Sequence, residues 1–329
     1  MPDIALLDPR VLNGVIDRMP PADGLMGLSM IPRSSYDLPV WEYDIRSRRR
    51  NIARPNTPNS PAHIVSQDGL GHMAGTFIYT REKKVFEPTT LRWLRAPGQM
   101  AAAAAEAAVL NEMQDLNARI DRFHEFLFWQ MVVTGTLDIS DLGYQQSIDY
   151  GIDASHLPTM ATPWNTVGAN VVRDIQDLKR IVTRDTEASL KGVFANGVTL
   201  ETFWSQTQVQ SMLTEADRGR YAVEGTLNRF QGMAWNEYDR GYSDDFTNPA
   251  SPTFVPYIPN GYMVMIAPEG RPYEAFDGPA ADDEAPIGHT GRFSKTWKEK
   301  DPSSRQILIE SNFIPILRNP DQIVVAKIY

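Results

Sequence analysis

Between Pro97 and Gly135 the chain reads PGQMAAAAAEAAVLNEMQDLNARIDRFHEFLFWQMVVTG, with no proline or glycine from Gln99 to Thr134. Ala, Leu, Met, Glu and Gln dominate, and these residues lose least on entering a helix. Apolar side chains at Val109, Met113, Leu116, Ile120, Phe123, Leu127 and Met131 recur every three or four positions. That spacing puts them on one helical face. The stretch predicts one helix over 99–134, about 50 Å long at ~1.5 Å per residue. An ordinary globular helix runs to roughly 11 residues, so this one is a strut along which other elements dock. The Ala101–Ala105 run lets another backbone approach closely. Glu106, Asn111, Glu112, Gln114, Asp115, Asn117, Arg119 and Asp121 fall off the apolar face and are expected to be solvated.

The 329 residues suffice for two domains, and 42% hydrophobic with 22% charged residues fits a folded protein. A net charge of -9 argues against binding polyanions through bulk electrostatics. Without cysteine there are no disulfides, thiol nucleophiles or thiolate metal sites. The N-terminus lacks the basic and apolar regions of a secretory signal, and no apolar run is long enough to span a membrane.

Residues 1–45 carry prolines at 2, 9, 20, 21, 32 and 39, which break long elements. Their apolar residues, Leu25, Met26, Leu28, Met30 and Ile31, need a surface, and a neighbouring chain is the expected one. Residues 46–54 read RSRRRNIAR: Arg46, Arg48, Arg49, Arg50 and Arg54 suit contact with nucleic acid or with an acidic patch, or form a solvated charge run. No aromatic residue is interleaved, so base stacking is not indicated. In 63–88 the strand-like runs HIVSQ and GTFIYTREKKVF flank DGLGHMAG, which reads as a hairpin turning at Gly69 and Gly71. Such a hairpin is marginal alone and should lie on another surface.

After the long helix, residues 135–151 read as strand, turn and strand, and 152–167 as a crossover. A second amphipathic helix is predicted over 168–190. GVFANG follows as a short strand, and Thr199 as the cap of the next helix. Strands TFVPYI and GYMVMIAP complete an alternation of helix and strand over 165–270. Glu274, Asp277, Asp282, Asp283 and Glu284 cluster in 271–303. Their oxygens suit calcium, but the spacing does not match its loop motif. The terminal runs QILIESNFIPIL and QIVVAKIY flank RNPD and predict an apolar hairpin packed on the long helix. HEFLFW lacks the second histidine of a zinc-protease motif. No GxSxG, phosphate-binding loop or dinucleotide fingerprint is present. No cofactor or metal site is expected.

RIDRFHEFLFWQMVVTGTLDI (119–139), QSIDYG (146–151) and ILIESNFIPILRNPDQIVVAKI (307–328), in this order and spacing, resemble the major capsid proteins of tailed bacteriophages. The resemblance is to the lambda-like capsid protein E family and spans nearly the whole chain. It implies an α+β, HK97-type fold. The implied parts are an N-terminal arm (1–55), an extended β-hairpin loop (56–95), a peripheral domain with its spine helix (96–164), an axial domain (165–290) and a return to the peripheral sheet through the C-terminal hairpin (291–329). It also implies a non-enzymatic, virion-located subunit, assembled in the host cytoplasm as hexamers and pentamers around double-stranded DNA. Scaffolding, portal and decoration proteins are further partners in such systems. Arg46, Arg48, Arg49, Arg50, Arg54, Gly69, Gly71, Lys83 and Lys84 are the candidates for inter-subunit or DNA contact. Lys83 and Lys84 lie where some relatives place a lysine for a covalent crosslink to asparagine. The alternatives are an encapsulin-like shell around cargo enzymes, and an α+β enzyme with a cleft between the long helix and 165–290.

Overall fold

The computed structural model describes residues 9–16, 19, 22, 24–46, 70–86, 100–140, 147–224, 227–244, 250–269, 271–301 and 303–329. In chain order these form α1 (Pro9–Ile16), α2 (Met26–Met30), β1 (Arg33–Ser35), β2 (Val40–Arg46), β3 (Leu70–Thr76), β4 (Ile78–Phe86) and the long helix α3 (Met100–Thr134). There follow β5 (Thr136–Asp138), β6 (Ser147–Asp149), α4 (Val171–Thr186), β7 (Gly192–Ala195), α5 (Gly197–Trp204), α6 (Thr207–Met212) and α7 (Glu215–Glu224). The remainder is β8 (Arg229–Phe230), β9 (Met233–Glu237), β10 (Gly241–Asp244), β11 (Thr253–Pro256), β12 (Tyr262–Ile266), β13 (Tyr273–Asp277), β14 (Arg292–Lys300), β15 (Ser303–Leu317) and β16 (Ile323–Lys327).

Helix α3 runs 35 residues without a break and lies between two five-stranded sheets. The first sheet is built on β15, which pairs with β14 over 303–311, with β4 over 305–313 and with β13 over 313–317. The α3 stripe Val109, Met113, Leu116 and Ile120 packs with Ile307 and Ile309 of β15 and with Leu12 and Ile16 of α1. The second sheet has the order β16-β12-β7-β9-β8, with only β7–β9 parallel. Its inner strands alternate between two cores. Phe194, Val264, Ile266, Ile323 and Val325 face the core around α3, where Phe194 meets Trp129 at 5.7 Å. Val193, Met263, Met265, Val324 and Ala326 face α4 and α5. Strands covered on both faces read as unbroken apolar runs, which is why GYMVMIAP and QIVVAKIY lack polar alternation. In the second core Phe203 stacks on Trp235 at 4.1 Å.

Several expectations need correction. The terminal runs do not pair with each other: β15 belongs to the first sheet and β16 to the second. The edges of β15 are already taken, by strands and, at Pro315 and Leu317, by hydroxyls that Tyr150 and Tyr43 donate to the carbonyls at 2.5 and 3.0 Å. Strand β13, inside 165–290, joins the first sheet. The glycine-rich stretch is no turn from Leu70 onward: β3 pairs with β2 in the register Arg46↔Leu70 to Val40↔Thr76. Gly75 sits opposite the fully buried Trp41, and a Cβ there would lie 2.6 Å from the indole. Glycine is thus a packing requirement within the ribbon. The cap of α5 is Asn196, whose Oδ1 accepts from Thr199 N at 2.9 Å, and the predicted longer helix divides into α5, α6 and α7.

The polar flank of α3 is also less solvated than its composition suggests. Asn117, Asp121, His124 and Glu125 are buried, as are Phe128, Trp129, Val132 and Val133. His124 is wholly enclosed and stacks on Phe313 at 4.0 Å with 12° between ring planes. Neither ring nitrogen has a hydrogen-bond partner among the described residues. Burial, and then the Arg292 and Arg33 guanidinium groups, hold its pKa well below the ordinary 6.5.

A histidine so depressed binds its proton in the unfolded chain first. Folding stability is therefore intact above pH 6.5 and falls as the pH drops below it, by up to about 1.4 kcal/mol per pH unit. His124→Phe keeps a ring on Phe313 and removes the titration. Urea unfolding of the unassembled subunit should show the variant gaining on the parent progressively from about pH 7 to about pH 5. Parallel stability profiles would contradict this account of His124.

Candidate functional site

The surfaces of the chain divide into those it covers itself and those it leaves open. The arm comes first. Glu125 of α3, wholly buried, accepts Gly27 N and Leu28 N of α2 at 2.8 Å each, Trp129 Nε1 at 2.7 Å and the Tyr238 hydroxyl at 2.5 Å. A buried carboxylate costs several kcal/mol unless it is fully hydrogen-bonded, and here both oxygens are engaged. The first-turn amides of α2 also offer the positive end of its dipole. Burial and the adjacent Glu125 push the Tyr238 hydroxyl far above its ordinary pKa. A Cβ on Gly27 would collide with the Phe128 ring, so only glycine lets the arm backbone come this close.

One helical turn earlier, Asp121 accepts Ala22 N at 3.0 Å and pairs with Arg292, which also donates to Asn117. Nearer the N-terminus, Asn13 exchanges hydrogen bonds with Ser294 N and O at 2.8 and 3.2 Å, covering the outer edge of β14. Arg33 grips Asp277 with two nitrogens at 2.5 and 2.9 Å as β1 adds to β13. Leu25, Met26, Leu28 and Met30 pack against the chain's own core. The expectation that the arm residues 25–31 rest on a neighbour is thus corrected. The physical reason is the row of buried acceptors on α3, Asp121 and Glu125, which take amides of the arm beside Arg292, Trp129 and Tyr238.

Of the contact candidates, Arg46 ends β2 and Gly71 lies in β3 opposite Ile45. Arg48, Arg49, Arg50, Arg54 and Gly69 lie outside the described residues, in the sequence that joins β2 to β3. The two lysines of β4 point to opposite faces of the sheet. Lys84 pairs with Glu112 of α3 at 2.8 Å, and this hydrogen bond raises its pKa. Lys83 instead lies 6.0 Å from the Trp297 ring. The structure therefore does not bring the pair together. The acidic cluster is likewise dispersed: Glu274 pairs with Arg318 at 2.6 Å, Asp277 with Arg33 and Asp282 with Lys295 at 2.5 Å. Among the described residues no group of acids and histidines is arranged to hold a metal ion, and no helix is long and apolar enough to cross a membrane. Sequence reading missed Glu125 and Asp121. Their only signal was two acids within a stretch where Leu127, Phe128 and Trp129 leave little surface.

The architecture is that of phage capsid subunits. A crystal structure assigned to a prophage capsid protein of E. coli CFT073 superposes with a TM-score of 0.69 at 14% identity, covering 98% of this chain and 99% of that one. The mature capsid subunit of bacteriophage PhiM1 gives 0.54 at 11% identity, with 90% and 84% covered. The capsid of a native GTA particle gives 0.56 at 9% identity, with 94% and 92% covered. These likenesses establish the HK97-type fold. No curated protein matches the sequence. The model of the phage major capsid protein E family matches residues 8–328, and the chain belongs to that family. It is a structural capsid protein.

Glu125→Ala would strand four buried donors and should cost about 3–5 kcal/mol. It should also free the arm, so that limited proteolysis cuts before Ser35 at a rate at which the parent is intact. Glu125→Gln keeps two lone pairs but adds two donors, so it should fall between. An alanine variant with unchanged unfolding midpoint and cleavage would show that the carboxylate does not seat the arm.

Proposed function

We propose that this chain builds the head of a tailed bacteriophage, closing as hexamers and pentamers into an icosahedral shell around double-stranded DNA. The observation that carries the reading is the extent of the family match, residues 8–328, which takes in the arm, the β2–β3 ribbon and both sheets. In this reading the chain up to Ser35 is the arm, α3 is the spine of a peripheral domain and much of 165–290 is the axial domain. The β2–β3 ribbon is the extended loop. Its arms are 40–46 and 70–76, so it begins earlier than the 56–95 expected from sequence. Arg48, Arg49, Arg50 and Arg54 then fall in the connection carried by the ribbon, where they serve contact with a neighbouring subunit or with packaged DNA. DNA contact is non-specific, through phosphate charge. Scaffolding, portal and decoration proteins are the expected partners, and assembly takes place in the host cytoplasm.

The purified full-length protein should elute in the megadalton range and show closed shells by electron microscopy, and particles from a phage lysate should hold nuclease-resistant DNA. Because Arg46 and Leu70 face each other across the ribbon, an Asn-Gly turn can replace 47–69 without changing the strand register. That variant should stay folded and soluble but form no shells. A full-length protein that is monomeric at every concentration would overturn the reading; shells from the shortened variant would overturn the role given to the ribbon.

A further inference from the structure

The first sheet has a second face. In an antiparallel ladder, directly opposed residues share a side. Ile307 and Ile309 face α3, so Gln306, Leu308 and Glu310 face away from it. With them go Trp297, Lys295 and Phe293 of β14 and Val85, Lys83 and Arg81 of β4. The connection from β13 to β14, residues 278–291, folds over part of this face. Its base is pinned there. Glu310, almost wholly buried, accepts Ala281 N and Asp282 N at 3.2 and 3.1 Å. Asp282 pairs with Lys295 at 2.5 Å and Arg81 at 3.1 Å. Ala280 N bonds His289 O at 2.9 Å and Gly291 N bonds Gly278 O at 3.1 Å, closing the loop on itself.

The tip of this anchored loop carries an unexpected side chain. Ile287 is 107% exposed, so nothing in its own subunit touches it. Exposed Asp283 and Glu284 stand a few residues before it. Past the loop, the same sheet face offers a shelf of opposite character. Val85 is 48% exposed and lies in the row Val85–Gln306–Trp297. Lys83, in the adjacent row, is exposed, lies 6.0 Å from the Trp297 ring and has no ion pair among the described residues. The loop holds acid and isoleucine; the shelf holds ammonium, valine and indole. Within one subunit Glu284 of the loop reaches Lys295 at 3.8 Å, itself 5.9 Å from the Trp297 ring, while Ile287 is left uncovered.

We propose that the 278–291 loop of one copy seats Ile287 on the Lys83–Val85–Trp297 shelf of a second copy, with Asp283 set against Lys83. The occupant is a second copy because the charges and the apolar groups are complementary between two parts of this one chain. The inference rests on the reading of the chain as a self-assembling shell subunit. The contact is head-to-tail, the kind that closes into rings when the rotation allows. The loop is ordered before binding, so little entropy is lost when Ile287 is covered.

The chain has no cysteine, which makes a crosslink unambiguous. The double variant V85C/I287C, oxidised mildly after assembly, should give a ladder of covalent oligomers on non-reducing gels. A mixture of the two single variants should give dimers only, and each single variant alone should give monomer. Ile287→Asp should raise the protein concentration needed for assembly about tenfold, with the melting temperature of the free subunit unchanged. Lys83→Glu should weaken assembly, and K83E/D283K should restore it. A ladder missing from assembled shells overturns this contact; so does an Ile287→Asp variant that assembles like the parent. Wild-type protein that forms no shells overturns the broader reading instead, so the two failures are separable.

Discussion

The C-terminal half of α3 is buried over most of its circumference, with Arg119, Arg122 and Thr134 exposed along one edge, and the rest of the fold follows from that burial. Trp129 meets Phe194 of one sheet while His124 lies flat on Phe313 of the other. Phe128, Met131 and Val132 are fully enclosed. A helix enclosed over most of its circumference is largely interior, and a buried carboxylate such as Glu125 on it must have its lone pairs met. The arm meets that need. The chain's N-terminal segment is thus not an appendage to the helix but supplies the amides that make its burial tolerable.

This arrangement separates what one subunit finishes alone from what it leaves for others. The arm from Pro9 to Ser35 is finished: its amides reach Glu125 and Asp121, its Asn13 closes the edge of β14 and its β1 extends the first sheet. The β2–β3 ribbon is finished only at its base, where Trp41 is buried and Tyr43 bonds Leu317 O. Toward its far end His72, Glu42 and Asp44 are exposed. The 278–291 loop is likewise fixed at its root and open at Ile287. Rigid roots with uncovered tips suit a protein whose partners are copies of itself, since ordering costs are met in the subunit and association gains what is left.

Much of this was legible in the sequence. The spacing from Val109 to Met131 gave α3 to within one residue of its start, and the unbroken apolar runs near the C-terminus marked strands covered on both faces. The order of these pieces pointed to the capsid family. What the sequence hid was partnership. QILIESNFIPIL and QIVVAKIY look like the two arms of a hairpin because only a short turn divides them, yet β15 had no edge left for β16. DGLGHMAG looks like a turn because glycine usually marks one; at Gly75 it clears space for Trp41. Asp121 looks solvated because side chains of that kind ordinarily are, and Glu125 draws no notice beside the aromatic run that follows it. In each case the deciding contact lies many residues away, and no local pattern encodes it.

The central claim is that one chain completes its own body, arm included, and meets its neighbours through the ribbon and the 278–291 loop. Amide hydrogen exchange on the free subunit and on assembled shells tests this most directly. The account predicts that residues 120–134 and the amides of Gly27 and Leu28 are protected equally in both, while 70–76 and 283–288 gain protection only in shells. Strong protection of Gly27 and Leu28 that appears only on assembly would contradict it, because the arm would then belong to a neighbour.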